Sequence, residues 1–351
     1  MLTINPAVQP ATDTVYAFDF DNTLVKMKGN EKFPEDEHDW MPLYPNTESV
    51  LQKCFAEGKT IVIFTNQGGV EKGKIDKQTV EKRLRNFIEY VGIPITAFAA
   101  ISYDNHRKPH TKMWTEMQKL LNYKTALFVG DAAGRVKDKK NKKDFSCSDR
   151  KFAFNIGIPF QTPEEFFLGE KMERKWEWGG FDSSEFFKNF KPRNLPVEES
   201  KEKEMILLIG PQASGKSTLS LKFPNYVRIN QDTLGTKAKC IKLVKETIKL
   251  GRSIVVDNTN ADIGNRKIYV NLAREAKYKV RFININVDKE MANHLDEMRV
   301  ELTGCKPIPA IAFNIFFKKL RENPPSLQEC DELIQYFWEP REVQSSFLMK
   351  F

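Results

Sequence analysis

The chain has 351 residues, 40% of them hydrophobic and 29% charged, with 18 glycines and 18 prolines. At about 150 residues per domain this composition predicts a globular protein of two domains. No stretch reaches the ~18 consecutive apolar residues of a spanning helix, and no basic start precedes an apolar run, so neither an integral membrane protein nor a secreted one is expected. The net charge is +8, and residues 201–351 alone contribute +7. That balance suits a polyanionic partner such as nucleic acid, or simply a solvated lysine-rich surface.

In chain order, strands are predicted at Val15–Asp19, Thr60–Thr65, Ala97–Ser102 and Ala126–Gly130, with helices over Thr47–Ala56, Lys77–Val91 and Thr111–Leu121. A polar, proline-bearing stretch at 191–204 reads as a linker. A second alternation follows, with strands at Met205–Ile209, Val227–Ile229, Ser253–Asp257 and Val280–Asn286. Its helices are predicted over Lys216–Leu221, Lys237–Leu250, Asp262–Ala276 and Lys289–Leu302. The expected class is α/β with two parallel-sheet domains, at 1–190 and 205–351, whose ligands gather at the carboxyl ends of strands. Cys54, Cys147, Cys240, Cys305 and Cys330 are scattered without a CxxC pair, which fits a reducing compartment and excludes a zinc ribbon. His106 and His110 flank Pro109, so they belong to a loop and not to a metal-binding helix face.

Asp19 and Asp21 stand two apart at a predicted strand end, where extended chain sends both carboxylates to one side. Crowded carboxylates repel, so the pair invites a divalent cation or a shared proton. Asp19 is suited to attack phosphorus and form an aspartyl-phosphate; Asp21 is suited to protonate the leaving oxygen and then activate water. The pattern DxDxT resembles the first motif of the haloacid dehalogenase superfamily of phosphatases. Later residues follow that family's order: Thr65 for a phosphate oxygen, Lys108 to neutralise phosphoryl charge, and Asp131 as a Mg²⁺ ligand beside Asp19 and Asp21. Asp149 falls in the family's second acidic position, but a lysine-rich insertion lengthens the usual spacing and leaves its role as a ligand open. Residues 137–143 of that insertion hold five lysines against one aspartate, a density that suits contacts with nucleic-acid phosphates, a solvated loop or a nuclear-import signal.

Residues 210–217 read GxxxxGK[ST] after an apolar strand and at the opening of a helix. Gly210 and Gly215 let backbone N–H groups turn inward around phosphate, with Ser214 and Thr218 in the same cradle. Lys216 is expected to reach the β/γ-phosphates of ATP, and Ser217 to hold Mg²⁺. Asp232 closes a later strand, in place to accept the proton of an attacking hydroxyl. Asp257 occupies a Walker-B-like position, and Arg299 lies on a helix that is suited to carry a lid arginine.

Together with the segments Val129–Arg135, Lys142–Arg150, Pro159–Phe167, Asn230–Gly235, Val256–Asn260 and Trp338–Pro340, these motifs resemble the eukaryotic polynucleotide kinase 3′-phosphatase family. The resemblance implies a nuclear DNA end-processing enzyme that uses Mg²⁺ and ATP. In it Asp19, Asp21, Thr65, Lys108 and Asp131 would remove a 3′-phosphate, while Lys216, Ser217, Asp232 and Arg299 would phosphorylate a 5′-hydroxyl. RNA end repair, or a small-molecule phosphatase fused to a metabolite kinase, are the alternatives. Only about fifteen residues precede the first strand, so the forkhead-associated domain of the animal enzymes is not expected. Gln231 replaces a basic residue common in relatives, and Arg266 or Lys267 is expected to supply that contact. Trp176 and Trp178 are expected at an interdomain seam or stacked on bases.

Overall fold

The computed structural model describes residues 1–5, 13–29, 31, 33–139, 142–171, 175–339 and 348–351. Lys140 of the insertion and Pro340 of the Trp338–Pro340 segment lie outside the described residues. By its contacts the chain divides into two units. The first comprises Met1–Glu185, Val300–Pro307 and the terminal residues 348–351; the second takes Phe186–Arg299 and 308–339.

The first unit carries, in chain order, β1 (Leu2–Ile4), β2 (Thr14–Phe18), β3 (Val25–Lys26), β4 (Met41–Pro42), α1 (Thr47–Ala56), β5 (Thr60–Asn66), α2 (Lys77–Val91), β6 (Ile95–Ala100), α3 (Lys112–Gln118), β7 (Thr125–Val129), α4 (Ser148–Ile156), β8 (Phe160–Gln161) and α5 (Pro163–Leu168). Its main sheet has the order β1-β6-β5-β2-β7-β8. All neighbours are parallel except β1, which pairs antiparallel with β6. Side chains alternate between the two faces with the period of a strand. Ile61 and Ile63 of β5 pack with Leu51 of α1 and Leu84 and Phe87 of α2. Val62 and Phe64 pack on the opposite face with Trp114 of α3 and Phe152 of α4. A sheet covered on both faces needs apolar residues at nearly every position, and every side chain of β6 is buried. Local signals set the helix ends: the Asp76 carboxylate accepts from Thr79 N at 2.9 Å to start α2, and Gly92 stops it with φ 69°.

α6 (Ser183–Asn189) carries the chain across the boundary. The second unit then builds β9 (Glu204–Ile209), α7 (Lys216–Ser220), β10 (Val227–Ile229), α8 (Gln231–Leu234), α9 (Lys237–Lys249), β11 (Ile254–Asp257), α10 (Ile263–Glu275), β12 (Lys279–Asn286), α11 (Lys289–Thr303), α12 (Ala310–Glu322) and β13 (Glu332–Phe337). Its sheet is parallel throughout, in the order β10-β11-β9-β12-β13. The stretch expected as a linker lies against the edge of this unit. Asn194 donates through Nδ2 to Phe337 O at 2.6 Å and accepts from Phe337 N at 2.7 Å, and Glu204 is already a buried residue of β9.

Candidate active sites

The central strands of the first sheet deliver the phosphatase candidates at their carboxyl ends. β2 ends one residue before Asp19, whose N–H donates to Val129 O on β7 at 2.9 Å. β5 carries Thr65, buried, and is followed by Gln67. The loop beyond β6 brings in Lys108, held at both ends of its peptide by Asn66: its N–H donates to Asn66 Oδ1 at 2.9 Å and its carbonyl accepts from Nδ2 at 3.0 Å. Lys108 Nζ then bonds Asp19 Oδ1 at 2.6 Å and Asp149 Oδ1 at 2.7 Å.

Asp149, left open by the sequence, sits in this cluster. The first turn of α4 projects it back against β7, where its Oδ2 accepts from Ala132 N at 3.0 Å. Oxygens of Asp19, Asp131 and Asp149 all lie within 4.8 Å of one another. Asp131 is steadied by Thr23, which donates to its Oδ1 at 3.3 Å and accepts from its N–H at 3.1 Å. Burial, with repulsion from Asp149 and Asp21, pushes the Asp19 carboxyl up to about 7 against the pull of Lys108. Burial and the neighbouring Asp19 and Asp149 also raise Asp131 well above the carboxylate range. Lys108 is itself held above its ordinary value: burial opposes its charge, but Asp149 and Asp19 outweigh it. Three carboxylates against one ammonium, with oxygen donors only, fit a small hard divalent cation such as Mg²⁺.

The Asp21 carboxylate is outside that cluster, so only its main chain remains for the metal role expected of it. Gln67 Nε2 donates to its Oδ2 at 2.7 Å and also to Thr65 Oγ1 at 2.9 Å. Arg83, buried on α2, donates through Nη1 to Oδ1 at 2.7 Å. Asp21, Asn66 and Gln67 line a cleft of about 290 Å³ with Phe33, Pro34 and Phe145. Gln67 and Arg83 were not singled out from the sequence, and Thr23 entered only as the last residue of DxDxT. Arg83 and Gln67 stand in a helix and a loop without motif spacing; only their approach in three dimensions reveals them.

In the second unit, the loop after β9 turns through Ala213 at φ 59° and Gly215 at φ 86° into α7. Gly210 is required by close approach, since a Cβ there would lie 2.8 Å from Ser214 Oγ. Ser214 Oγ donates to Pro211 O at 2.8 Å, and Lys216 Nζ reaches back to the same carbonyl at 2.5 Å. Burial lowers Lys216 to about 8, partly offset by Asp257 and Asp232. Those two acids therefore share the field of the lysine. Asp257, at the end of β11, is buried; Arg228 holds its Oδ2 through Nε at 2.8 Å and Nη2 at 2.5 Å. Asp232 is exposed on α8, while Ser217 is exposed and Thr218 half-buried on α7.

One expectation changes. Arg266 is not a substrate contact: it is wholly buried, with Nε and Nη2 each 2.9 Å from the Glu329 carboxylate and Nη1 on the carbonyls of Asn260 and Ala261. A guanidinium so occupied has no donor to offer; Lys267 beside it is exposed. Arg299 pairs through Nε and Nη2 with Asp296 one turn earlier, at 2.9 and 2.6 Å. Trp176 and Trp178 pack edge-on against each other at 4.8 Å, with Arg150 over Trp176 and Phe154 against Trp178, all inside the first unit.

Residues 14–167 match the family model described as polynucleotide kinase 3 phosphatase, and residues 205–304 match an AAA domain. Over 335 residues the chain is 36% identical to a bifunctional polynucleotide phosphatase/kinase of Schizosaccharomyces pombe, spanning 91% of this chain and 78% of that one. The chain belongs to the bifunctional polynucleotide phosphatase/kinase family. A putative bifunctional polynucleotide phosphatase/kinase of Acanthamoeba polyphaga mimivirus is 34% identical over 87% of this chain and 80% of its own. The polynucleotide 3′-phosphatase ZDP of Arabidopsis thaliana is 35% identical over 45% of this chain and 24% of its own. Within the family this member pairs a carboxylate–lysine cluster in its first unit with a phosphate-type loop in its second. Among the described residues no helix is long and apolar enough to cross a membrane.

Proposed function

We propose that the chain converts strand ends bearing a 3′-phosphate and a 5′-hydroxyl into ligatable ends during DNA repair. The observation that carries this reading is the Asp19–Lys108–Asp149–Asp131 cluster beside the tethered Asp21, on a chain whose other unit holds the Gly210–Ser217 loop.

In the phosphatase reaction an Asp19 oxygen attacks the phosphorus of the 3′-phosphate. Lys108 fixes that carboxylate and, with the Thr65 hydroxyl, takes up phosphoryl charge. The bond from phosphorus to the 3′-oxygen breaks as Asp21 gives that oxygen its proton. Water then attacks the aspartyl-phosphate, giving its proton to Asp21 and releasing Asp19 and inorganic phosphate. Bound Mg²⁺ would neutralise phosphoryl charge, held by Asp19, Asp131, Asp149 and the main chain of Asp21 here, and by Ser217 in the kinase site.

In the kinase reaction the backbone N–H groups of Gly210–Ser217 and the Lys216 ammonium cradle the phosphates of ATP. Asp232 accepts the proton of the 5′-hydroxyl as its oxygen attacks the γ-phosphorus; the bond from that phosphorus to the bridging oxygen of the β-phosphate breaks and ADP leaves, with Arg299 as the lid arginine. A DNA substrate in a reducing, nuclear setting agrees with five free cysteines and a basic second half of the chain. Fluorescent tagging of the full chain would test the location.

End-labelled DNA and RNA oligonucleotides with 3′-phosphate and 5′-hydroxyl ends, incubated with ATP and Mg²⁺, test both activities. Loss of the 3′-phosphate and gain of a 5′-phosphate on DNA are expected. Preference for matched RNA ends would replace DNA repair with RNA repair, and inertness on both would refute the reading.

A further inference from the structure

Arg83 and Arg266 are both fully buried, yet they are used in opposite ways. Arg266 distributes its donors over the Glu329 carboxylate and three carbonyls, as a structural guanidinium should. Arg83 spends Nη1 on Asp21 Oδ1 at 2.7 Å, while its Nε and Nη2 are buried with no acceptor. Its guanidinium rests over the Phe20 ring, 5.2 Å from the centroid. Burying a cation with donors unmet is unfavourable, so packing alone does not account for this side chain. A methionine would fill the same space at less cost to the fold. The one polar partner that Arg83 has among the described residues is the carboxyl group placed for proton transfer.

We propose that Arg83 is the positioning residue of Asp21, an inference that rests on the phosphatase reading above. Asp21 is 39% exposed at the side chain and faces the cleft, whereas Arg83 is 2% exposed behind it. Arg83 on Oδ1 and Gln67 on Oδ2 fix the plane of the carboxyl group. When the proton passes from Asp21 to the leaving 3′-oxygen, negative charge grows on a carboxylate already beside a preorganised cation. When water attacks the aspartyl-phosphate, its proton returns to the same carboxylate. Arg83 thus touches neither the phosphoryl group nor the nucleophile; it acts through Asp21 alone.

That role has a signature which a structural role lacks. General acid assistance matters for an alkoxide leaving group and little for a nitrophenolate, which departs unprotonated. The full-length parent, Arg83→Gln, Arg83→Lys, Asp21→Asn and the Asp21→Asn/Arg83→Gln double variant would be compared on phosphate monoesters from alkyl to 4-nitrophenyl. Arg83→Gln should lower kcat on alkyl esters by about 100-fold, with KM within about threefold. The pre-steady-state burst of 4-nitrophenolate should stay within about threefold of the parent, and Arg83→Lys should recover part of the loss. The double variant should be no slower than Asp21→Asn. A loss that is equal across leaving groups, a loss that adds to that of Asp21→Asn, or no loss at all would each overturn the proposal. If Arg83→Gln does not fold, Arg83→Lys carries the same leaving-group comparison. Failure of the parent on 3′-phosphate ends alone would count against the polynucleotide reading and leave this test intact, because it uses small esters. A parent inert toward every ester would overturn both.

Discussion

Lys216 shows a single side chain on which stability and activity pull apart. Its ammonium is buried at the end of the loop and held down to about 8, since Asp257 and Asp232 only partly offset the burial. The unfolded chain keeps this lysine charged up to about 10.4, so the folded state carries a penalty of about 3 kcal/mol below pH 8. The penalty fades as the pH rises from about 8 toward 10.4, because in that window the folded lysine has released its proton while the unfolded chain still binds one. Lys216→Met, measured in chelator without nucleotide, should therefore raise the melting temperature of the second unit at pH 7. The gain should vanish toward pH 10.4, and ATP-dependent phosphorylation should be abolished. A gain that ignores pH would remove the electrostatic explanation. Asp19 gives the complementary case in the first unit. Asp19→Asn keeps the shape but removes the nucleophile, so 3′-phosphate release should fall by at least about 10⁴-fold while 5′-phosphorylation continues at the parental rate. Loss of both activities in a folded protein would refute independent sites.

At the scale of elements, the sites depend on how closely helices approach strand ends. α4 can bring Asp149 to the cluster only because Gly130, the residue just past β7, has no side chain; a Cβ there would lie 2.6 Å from the Asp149 Cβ. Gly130→Ala should push Asp149 out of reach of Lys108 and lower phosphatase turnover by about 100-fold, as an ångström-scale misplacement does. The kinase rate, read in the same preparation, should not change; an unimpaired phosphatase would mean that Asp149 is dispensable. The same geometry explains what the sequence could and could not disclose. α1 and α2 run over the predicted residues because apolar periodicity, Asp76 and Gly92 fix them locally. The strand ends bearing Asp19, Thr65, Asp131 and Asp257 were also legible, through apolar runs that stop at a polar residue. α3 ends at Gln118, short of the predicted Leu121, in turns that bring Leu120 N and Leu121 N to Met117 O. β1 and β13 escaped notice, and both are edge strands that owe their pairing to a distant partner, Ile4 with Ala97 and Glu332 with Arg281. Asp149 became clear only when the fold closed an insertion that had stretched the motif.

For the whole molecule, chain order and spatial order part company at α11. Residues Val300–Pro307 follow the kinase motifs in sequence but belong to the first unit. There Glu301, 11% exposed at the side chain, receives His110 Nδ1 at 2.9 Å and Thr111 N at 3.2 Å, and the Thr111 hydroxyl also donates to it. Those hydrogen bonds hold its carboxyl below the usual range despite its burial. His110 and Thr111 follow Lys108 after a single proline, so a residue from the second half of the chain braces the loop that presents the phosphatase lysine. The terminal residues add a further tie, since Lys151 Nζ bonds Phe351 O at 2.5 Å. The phosphatase fold is therefore completed by sequence that no reading in chain order would assign to it. Glu301→Ala leaves the Thr111 N–H and hydroxyl without their acceptor, which should cost about 1–3 kcal/mol of first-unit stability. Heat inactivation assayed on both activities of one sample tests this. Phosphatase activity should be lost several degrees earlier than in the parent, while the kinase midpoint moves by less than a degree or so. If the kinase midpoint falls as far, or if neither moves, Glu301 is not a brace of the first unit.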